Sequence, residues 1–229
     1  MIFSTANPSP SRHPLLPDIH IKRRKTVLLL GLILLCLGSG LLYFSFRRME
    51  AAAGRIANQI LRFHVIANSN SAEDQALKLE VKEALLAVLN ESPASSREEM
   101  KSYIRDHKEE LTAVAQKLLR EKGKDYPVRI TLTNTYFPTK VYGDLTFPCG
   151  AYDALKVEIG QAAGKNWWCV LYPPLCFADV TTGFVPEDSR EELREVLTDE
   201  DYASLEPGAP EVTFGFRLLE LWEKWFPAS

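Results

Sequence analysis

Histidines and cysteines are the residues of this chain best suited to nucleophilic or metal chemistry, and there are four of each. His13 and His20 lie in a proline-rich N-terminal stretch, and His107 sits among Arg105, Asp106 and Lys108, the pattern of a solvated helix face. His64 differs, because it stands inside the apolar run ILRFHVIA just ahead of Asn68-Ser69-Asn70-Ser71. Short polar side chains at a strand end either cap the backbone or offer amides and hydroxyls to a ligand. Cys149, Cys169 and Cys176 follow in the second half of the chain. A cysteine–histidine nucleophile pair needs both groups within hydrogen-bond reach, so His64 with Cys169, or with an acidic partner, is the pair a membrane-anchored extracytoplasmic hydrolase or cell-wall-modifying enzyme would use. Nothing in the spacing brings them together. Three cysteines without a nearby histidine are too few for a structural zinc site. The GxGxxG, GxxxxGK[ST], HExxH and GxSxG patterns are all missing. No catalytic residue, metal or cofactor is therefore expected, which favours a binding protein, with the anchored hydrolase as the second reading and a purely structural envelope module as the third.

The stretch Gly164 to Asp179, GKNWWCVLYPPLCFAD, has the composition of a domain centre. Trp167 to Tyr172 carry the aromatic and β-branched content of a buried strand. Pro173-Pro174 must end it, because neither residue can donate a ladder hydrogen bond. The bland role of such a block is core packing around a tight turn. In an oxidising compartment two of the three cysteines would form a disulfide. Connectivity is not fixed by sequence; Cys169 with Cys176, closing a small loop around the prolines, is the favoured pair.

Charge and hydropathy divide the chain. The formal net charge of −3 combines a surplus of +5 in residues 1–50 with −8 in the remainder. An acidic body without a basic stripe argues against nucleic acid as a partner. Residues 1–21 hold four prolines and no periodicity, the composition of a disordered tail. Residues 22–48 join a basic flank, Lys22-Arg23-Arg24-Lys25, to the uncharged run Val27 to Phe46. Twenty residues at about 1.5 Å each span roughly 30 Å, the hydrocarbon thickness of a bilayer. Residues 27–46 are thus expected to contact the lipid bilayer. The excess of basic residues before the run predicts a cytoplasmic N-terminus and an extracytoplasmic body. Ala51-Ala52-Ala53 offers a small-residue cleavage site, but Arg47-Arg48 intervene, so an uncleaved anchor is favoured over a signal peptide.

Beyond the membrane segment, Ile60 to Ala67 reads as a strand and Asn68 to Ser71 as a turn. Ser71-Ala72-Glu73-Asp74 resembles a capping box, followed by Leu77, Val81, Ala84, Leu85, Val88 and Leu89 on one helical face. Ser96 with Glu99 opens a second amphipathic helix carrying Met100, Tyr103, Ile104, Leu111, Val114, Leu118 and Leu119, and Gly123 is placed to stop it. From Tyr126 the period changes to 2: Val128, Ile130 and Leu132, then Leu155, Val157 and Ile159, alternate with polar residues. A further strand is expected around 140–147, and the strands flanking Gly160 to Gly164 are expected to form a hairpin. A short charged helix is read near Ser189 to Leu197, an alternating segment at Val212, Phe214 and Phe216, and a terminal helix after it. The expected fold is α+β: a mainly antiparallel sheet with two amphipathic helices on one face, behind a single N-terminal transmembrane segment.

Two blocks, RFHVIANSNSAEDQALKLEVKEAL (Arg62 to Leu85) and GAYDALKVEIGQAAGKNWWCVLYPPLCFAD (Gly150 to Asp179), resemble the stage II sporulation protein R family of endospore-forming bacteria. The resemblance extends over residues 60–226. It implies an exported signalling protein that is made in the forespore and acts in the space between the two membranes. Its implied partner is a membrane-bound sporulation aspartic protease of the mother cell, which processes the sigma-E precursor. The chain departs from the family at Asn70, where Asp is more usual, and at Cys149, where Ala is usual. A ligand without catalysis must still present a surface, and the expected candidates are His64, Asn68 and Asn70, with Trp167 and Trp168 mostly holding the core behind them.

Overall fold

The computed structural model describes residues 18–176 and 185–206. Residues up to 47 form one unit and residues from 48 onward another. The N-terminal unit is the first part of helix α1 (Asp18–Gln59), which is long and apolar enough to cross a membrane. Its apolar side chains, Val27 to Phe44 among them, are exposed, as expected of residues that meet lipid instead of protein.

In the second unit, the end of α1 already belongs to a packed core: Ala53, Ile56, Ala57 and the following Ile60 are buried. The chain then enters β1 (Leu61–Ile66), α2 (Ala72–Asn90), α3 (Arg97–Asp106) and α4 (Lys108–Glu121). Strands β2 (Val128–Phe137), β3 (Lys140–Tyr142), β4 (Leu145–Phe147), β5 (Gly150–Ile159) and β6 (Asn166–Tyr172) follow. Helices α5 (Glu187–Val196) and α6 (Asp199–Leu205) complete the described elements. The expected segment around residues 212–216 and the terminal helix lie outside the described residues.

The architecture is α+β, and the sheet is mixed, with strand order β2-β5-β1-β6. Pairing of β2 with β5 and of β1 with β6 is antiparallel, whereas β1 runs parallel to β5. This corrects the expected hairpin: β5 and β6 are consecutive in sequence, yet β1 lies between them. The reason is burial. All but one of the six residues of β1 are buried, and such a strand is favoured at the centre of a sheet, where both of its edges are paired. A parallel neighbour then requires a long crossover, which α2, α3, α4 and β2 supply.

The second predicted helix is two. Helix α3 ends at His107 (φ −104°, ψ 15°), whose backbone N–H and ring Nδ1 both approach the Tyr103 carbonyl. The ring also stacks on Tyr103 at 3.9 Å, so the histidine closes one helix, and α4 starts at the next residue. Gly123, at φ +74°, terminates α4 with Lys124 N–H donating to the Leu119 carbonyl, a left-handed C-terminal turn that glycine adopts without strain. Ser71 and Ser96 cap α2 and α3 through their hydroxyls. Arg97 donates to the Ile60 carbonyl and, with Lys101, pairs with Asp153 of β5, which fixes α3 against the sheet.

The connection between β5 and β6 is folded onto the turn after β1. Gly164 N–H donates to the Ala67 carbonyl, and a Cβ at Gly164 would penetrate the Ser69 carbonyl oxygen. Backbone cannot yield there as a flexible side chain would. Gly164→Ala is therefore expected to destabilise the domain by about 1–3 kcal/mol, a fall in Tm of roughly 3–10 °C for a domain of this size. Thermal unfolding followed by circular dichroism measures it, and an unchanged Tm would show that the loop can move away.

Candidate functional site

Along β1 the side chains alternate between two faces. Phe63 and Val65 belong to one face and Arg62, His64 and Ile66 to the other. The register with β6 places Phe63 opposite Cys169, Val65 opposite Trp167 and His64 opposite Trp168. Trp167 thus shares the Val65 face, where the Lys82 ammonium of α2 lies 4.4 Å from its ring. Trp168 shares the His64 face, and the two rings stack at 4.9 Å and 5°.

His64 is 3% exposed. Phe137, from the end of β2, meets its ring edge-on at 5.3 Å. Neither ring nitrogen has a hydrogen-bond partner. Burial lowers the imidazole from its ordinary 6.5 to about 4, opposed by the nearby Asn166 carboxamide and assisted by the Lys156 charge. His64 is therefore neutral near pH 7 and lies beneath the surface, so a docking partner could not touch it directly. Two residues earlier on the same face, Arg62 is wholly buried, and its guanidinium carbon is 4.7 Å from the Phe137 ring centre, 5.0 Å from Tyr152, 5.5 Å from Phe147 and 5.7 Å from Tyr142. A cation over four ring faces gains electrostatically from their quadrupoles, but none of its three nitrogens has a hydrogen-bond partner. The phenols are engaged elsewhere: Tyr152 donates to the Pro148 carbonyl at 2.7 Å and Tyr142 to the Trp168 carbonyl at 3.0 Å.

Beyond β1, the polar turn is organised by a residue not singled out above, Asp74. Its carboxylate accepts from Asn68 Nδ2 at 2.9 Å and Ser69 Oγ at 2.5 Å. These donors, Ser69 first, hold Asp74 below the usual carboxylate range. The same Asn68 accepts from Gln161 N–H at 3.0 Å, and Asn70 accepts from Lys165 N–H at 2.9 Å. Both asparagine oxygens thus tie down the β5–β6 loop. Lys78, from α2, reaches the Lys165 carbonyl at 3.2 Å and closes the ring of contacts.

Cys169 and Cys176 are joined, with Cα atoms 5.2 Å apart, around a turn whose Tyr172–Pro173 bond is cis. Leu175 N–H donates to the Val170 carbonyl at 3.1 Å and folds the chain back on β6. Because Cys169 pairs opposite Phe63, it belongs to the other face from His64, and its sulfur is bonded to Cys176. The structure therefore does not bring His64 and Cys169 together as a nucleophile and base. Among the described residues, no group of three or more His, Cys, Asp or Glu side chains stands close enough to hold a metal ion.

Arg62 and its rings were not anticipated. The signal was available: Arg62 and His64 are the two polar residues of the apolar run, two apart and therefore on one face. Which rings would surround them depends on Phe137, Tyr142, Phe147 and Tyr152 meeting across three separate segments.

An apolar N-terminal helix followed by a mixed-sheet α+β domain with a disulfide-closed turn defines the class as a helix-led α+β domain. Residues 57–182, more than half of the chain, match the family described as stage II sporulation protein R. A protein of that name from Bacillus subtilis (strain 168) is 31% identical over 188 residues, which cover 77% of this chain and 84% of the relative. The chain belongs to the stage II sporulation protein R family. No solved structure matches it.

The buried imidazole gives a pH dependence of defined sign. Above pH 6.5, His64 is neutral in both folded and unfolded chains and costs nothing. As pH falls from 6.5 toward about 4, the unfolded chain takes up the proton first, so stability is lost by up to about 1.4 kcal/mol per pH unit. Urea unfolding of wild type and His64→Phe between pH 7.5 and 4.5 should show this slope removed in the variant. Parallel pH profiles would contradict it.

Proposed function

We propose that this protein is an exported intercompartmental signal of endospore formation. Made in the forespore, it passes its C-terminal domain across the inner membrane, and in the intermembrane space that domain binds and activates the membrane-bound aspartic protease that processes the sigma-E precursor. The observation that carries the reading is membership of the stage II sporulation protein R family across most of both chains. The apolar N-terminal helix supports it as a membrane anchor. The absence of an assembled His64–Cys169 pair fits a ligand, which needs no chemistry of its own: binding the protease's active state more tightly than its inactive state is sufficient to shift the population. On this reading Asn68 and Asn70 shape the docking face beside the half-buried Trp168, while His64 and Trp167 support it from behind.

Reconstitution separates ligand from enzyme. The full chain in detergent micelles, added to the purified protease and the sigma-E precursor, is expected to switch on processing, and folded protein that leaves the precursor intact would refute activation. The proposed topology has its own measurement. In a Cys36→Ala background, an exposed cysteine introduced as Glu121→Cys should react with a membrane-impermeant maleimide added to intact protoplasts. Labelling only after lysis would place the domain in the cytoplasm.

A further inference from the structure

On the face of the sheet opposite α2, buried side chains without hydrogen-bond partners cluster around β1. Among the described residues the clearest case is Arg62, with three unpartnered guanidinium nitrogens; the His64 ring and the Asn166 carboxamide, which lie beside each other, make no hydrogen bond of good geometry. The cluster is continuous, because His64 pairs opposite Trp168 and Ile66 opposite Asn166. Buried polar groups are ordinarily satisfied, and a guanidinium removed from water without an acceptor is among the most costly of them. Four rings stabilise its charge but accept none of its in-plane N–H bonds.

Two of those rings, Tyr142 and Phe147, sit on the β3–β4 hairpin, whose strands, among the described residues, pair with each other and not with the main sheet. A two-stranded ribbon of this length has little stability of its own. It is held by the burial of Leu145 and Phe147 in the core, by the packing of β4 on α6, by its rings over Arg62, by the Tyr142 hydroxyl on the Trp168 carbonyl, and by Asp144 at its turn, which pairs with Arg190 of α5. Phe137 and Tyr152 belong to the main sheet and would stay in place if the hairpin lifted.

We propose that Arg62 is the receptor for a carboxylate side chain of a partner protein, and that the β3–β4 hairpin is the cover that lifts to admit it. A planar carboxylate matches the guanidinium fork with two parallel hydrogen bonds and fits between ring faces. A polyanion would be repelled by the acidic body of the chain, which carries −8 over residues 51–229. The inference rests on the reading of the chain as a protein ligand, since the carboxylate comes from the protein it binds.

Hydrogen exchange on the full chain in detergent, in acetate, phosphate or chloride at equal ionic strength, tests the cover and the receptor without any partner. The hairpin amides, Val141 to Phe147, are expected to exchange on the order of tenfold faster than those of β1 and β5. Acetate should speed them saturably by roughly twofold or more, by populating the open form. Phosphate and chloride should not, and Arg62→Met should abolish the response. Hairpin amides that exchange in step with the core, an acetate effect equal to that of phosphate, or no acetate effect in wild type would each overturn the proposal, whether or not the variant folds. In reconstituted processing, Arg62→Met should reduce activation at least about tenfold while the chain stays folded, the loss of one charged contact in a desolvated site. An acetate response that depends on Arg62, combined with a chain that never activates the protease, would retain the carboxylate receptor and refute the partner.

Discussion

The placement of β1 between β5 and β6 is the constraint on which the rest of the domain depends. A strand whose residues are almost all buried cannot lie at an open edge without exposing apolar surface and unpaired backbone to water. Central placement forces β5 and β6, close in sequence, onto opposite sides of it. The parallel β1–β5 pair in turn requires a crossover, and the three helices α2, α3 and α4 lie within it, with α2 and α4 covering the face that carries Phe63 and Val65. The two ends of the domain follow from this arrangement: Ile60 and the last turn of α1 are drawn into the core just before β1, and the loop from Gly160 to Lys165 must pass over the turn just after it.

That second junction explains the polar residues at Asn68 to Asp74. Each satisfies a backbone or side-chain group made necessary by the crossing of two loops. Asn68 bridges the Asp74 carboxylate and the Gln161 amide, and Asn70 holds Lys165. Glycines at positions 160 and 164 allow the close approach, since a Cβ at either would strike the opposing loop. Asp74 joins this network to the first turn of α2, where a negative charge also interacts favourably with the helix dipole. A turn that resembles a binding loop in composition is thus, in its oxygen atoms, an internal joint, and its exposed remainder is what a partner would meet.

The opposite face carries a different kind of feature. Arg62 and His64 are packed chiefly against aromatic rings. Replacing such a buried cation with an apolar side chain is often neutral or stabilising, so its presence is not explained by stability alone. The disulfide between Cys169 and Cys176 starts from the other face, that of Phe63, at the end of β6, where it holds the proline turn against the strand.

The elements themselves were legible in the residues. Apolar spacing marked α2, alternation marked β2 and β5, Ser71, Ser96 and Gly123 marked helix ends, and the uncharged run marked the membrane-length helix. These signals are local: each depends on side chains within a few residues of one another along one helix face or one strand. The α+β class followed from their order. The mixed sheet did not, because strand order is decided by which strand most needs two paired edges, and that depends on burial summed over the whole domain. His107 dividing one helix into two was hidden because a one-residue break leaves the apolar periodicity on each side intact. The ring cage around Arg62 was hidden for the same kind of reason. Its members come from β2, the hairpin and β5, and only the register of β5 against β1 and the return of the hairpin over the sheet bring those rings onto one guanidinium.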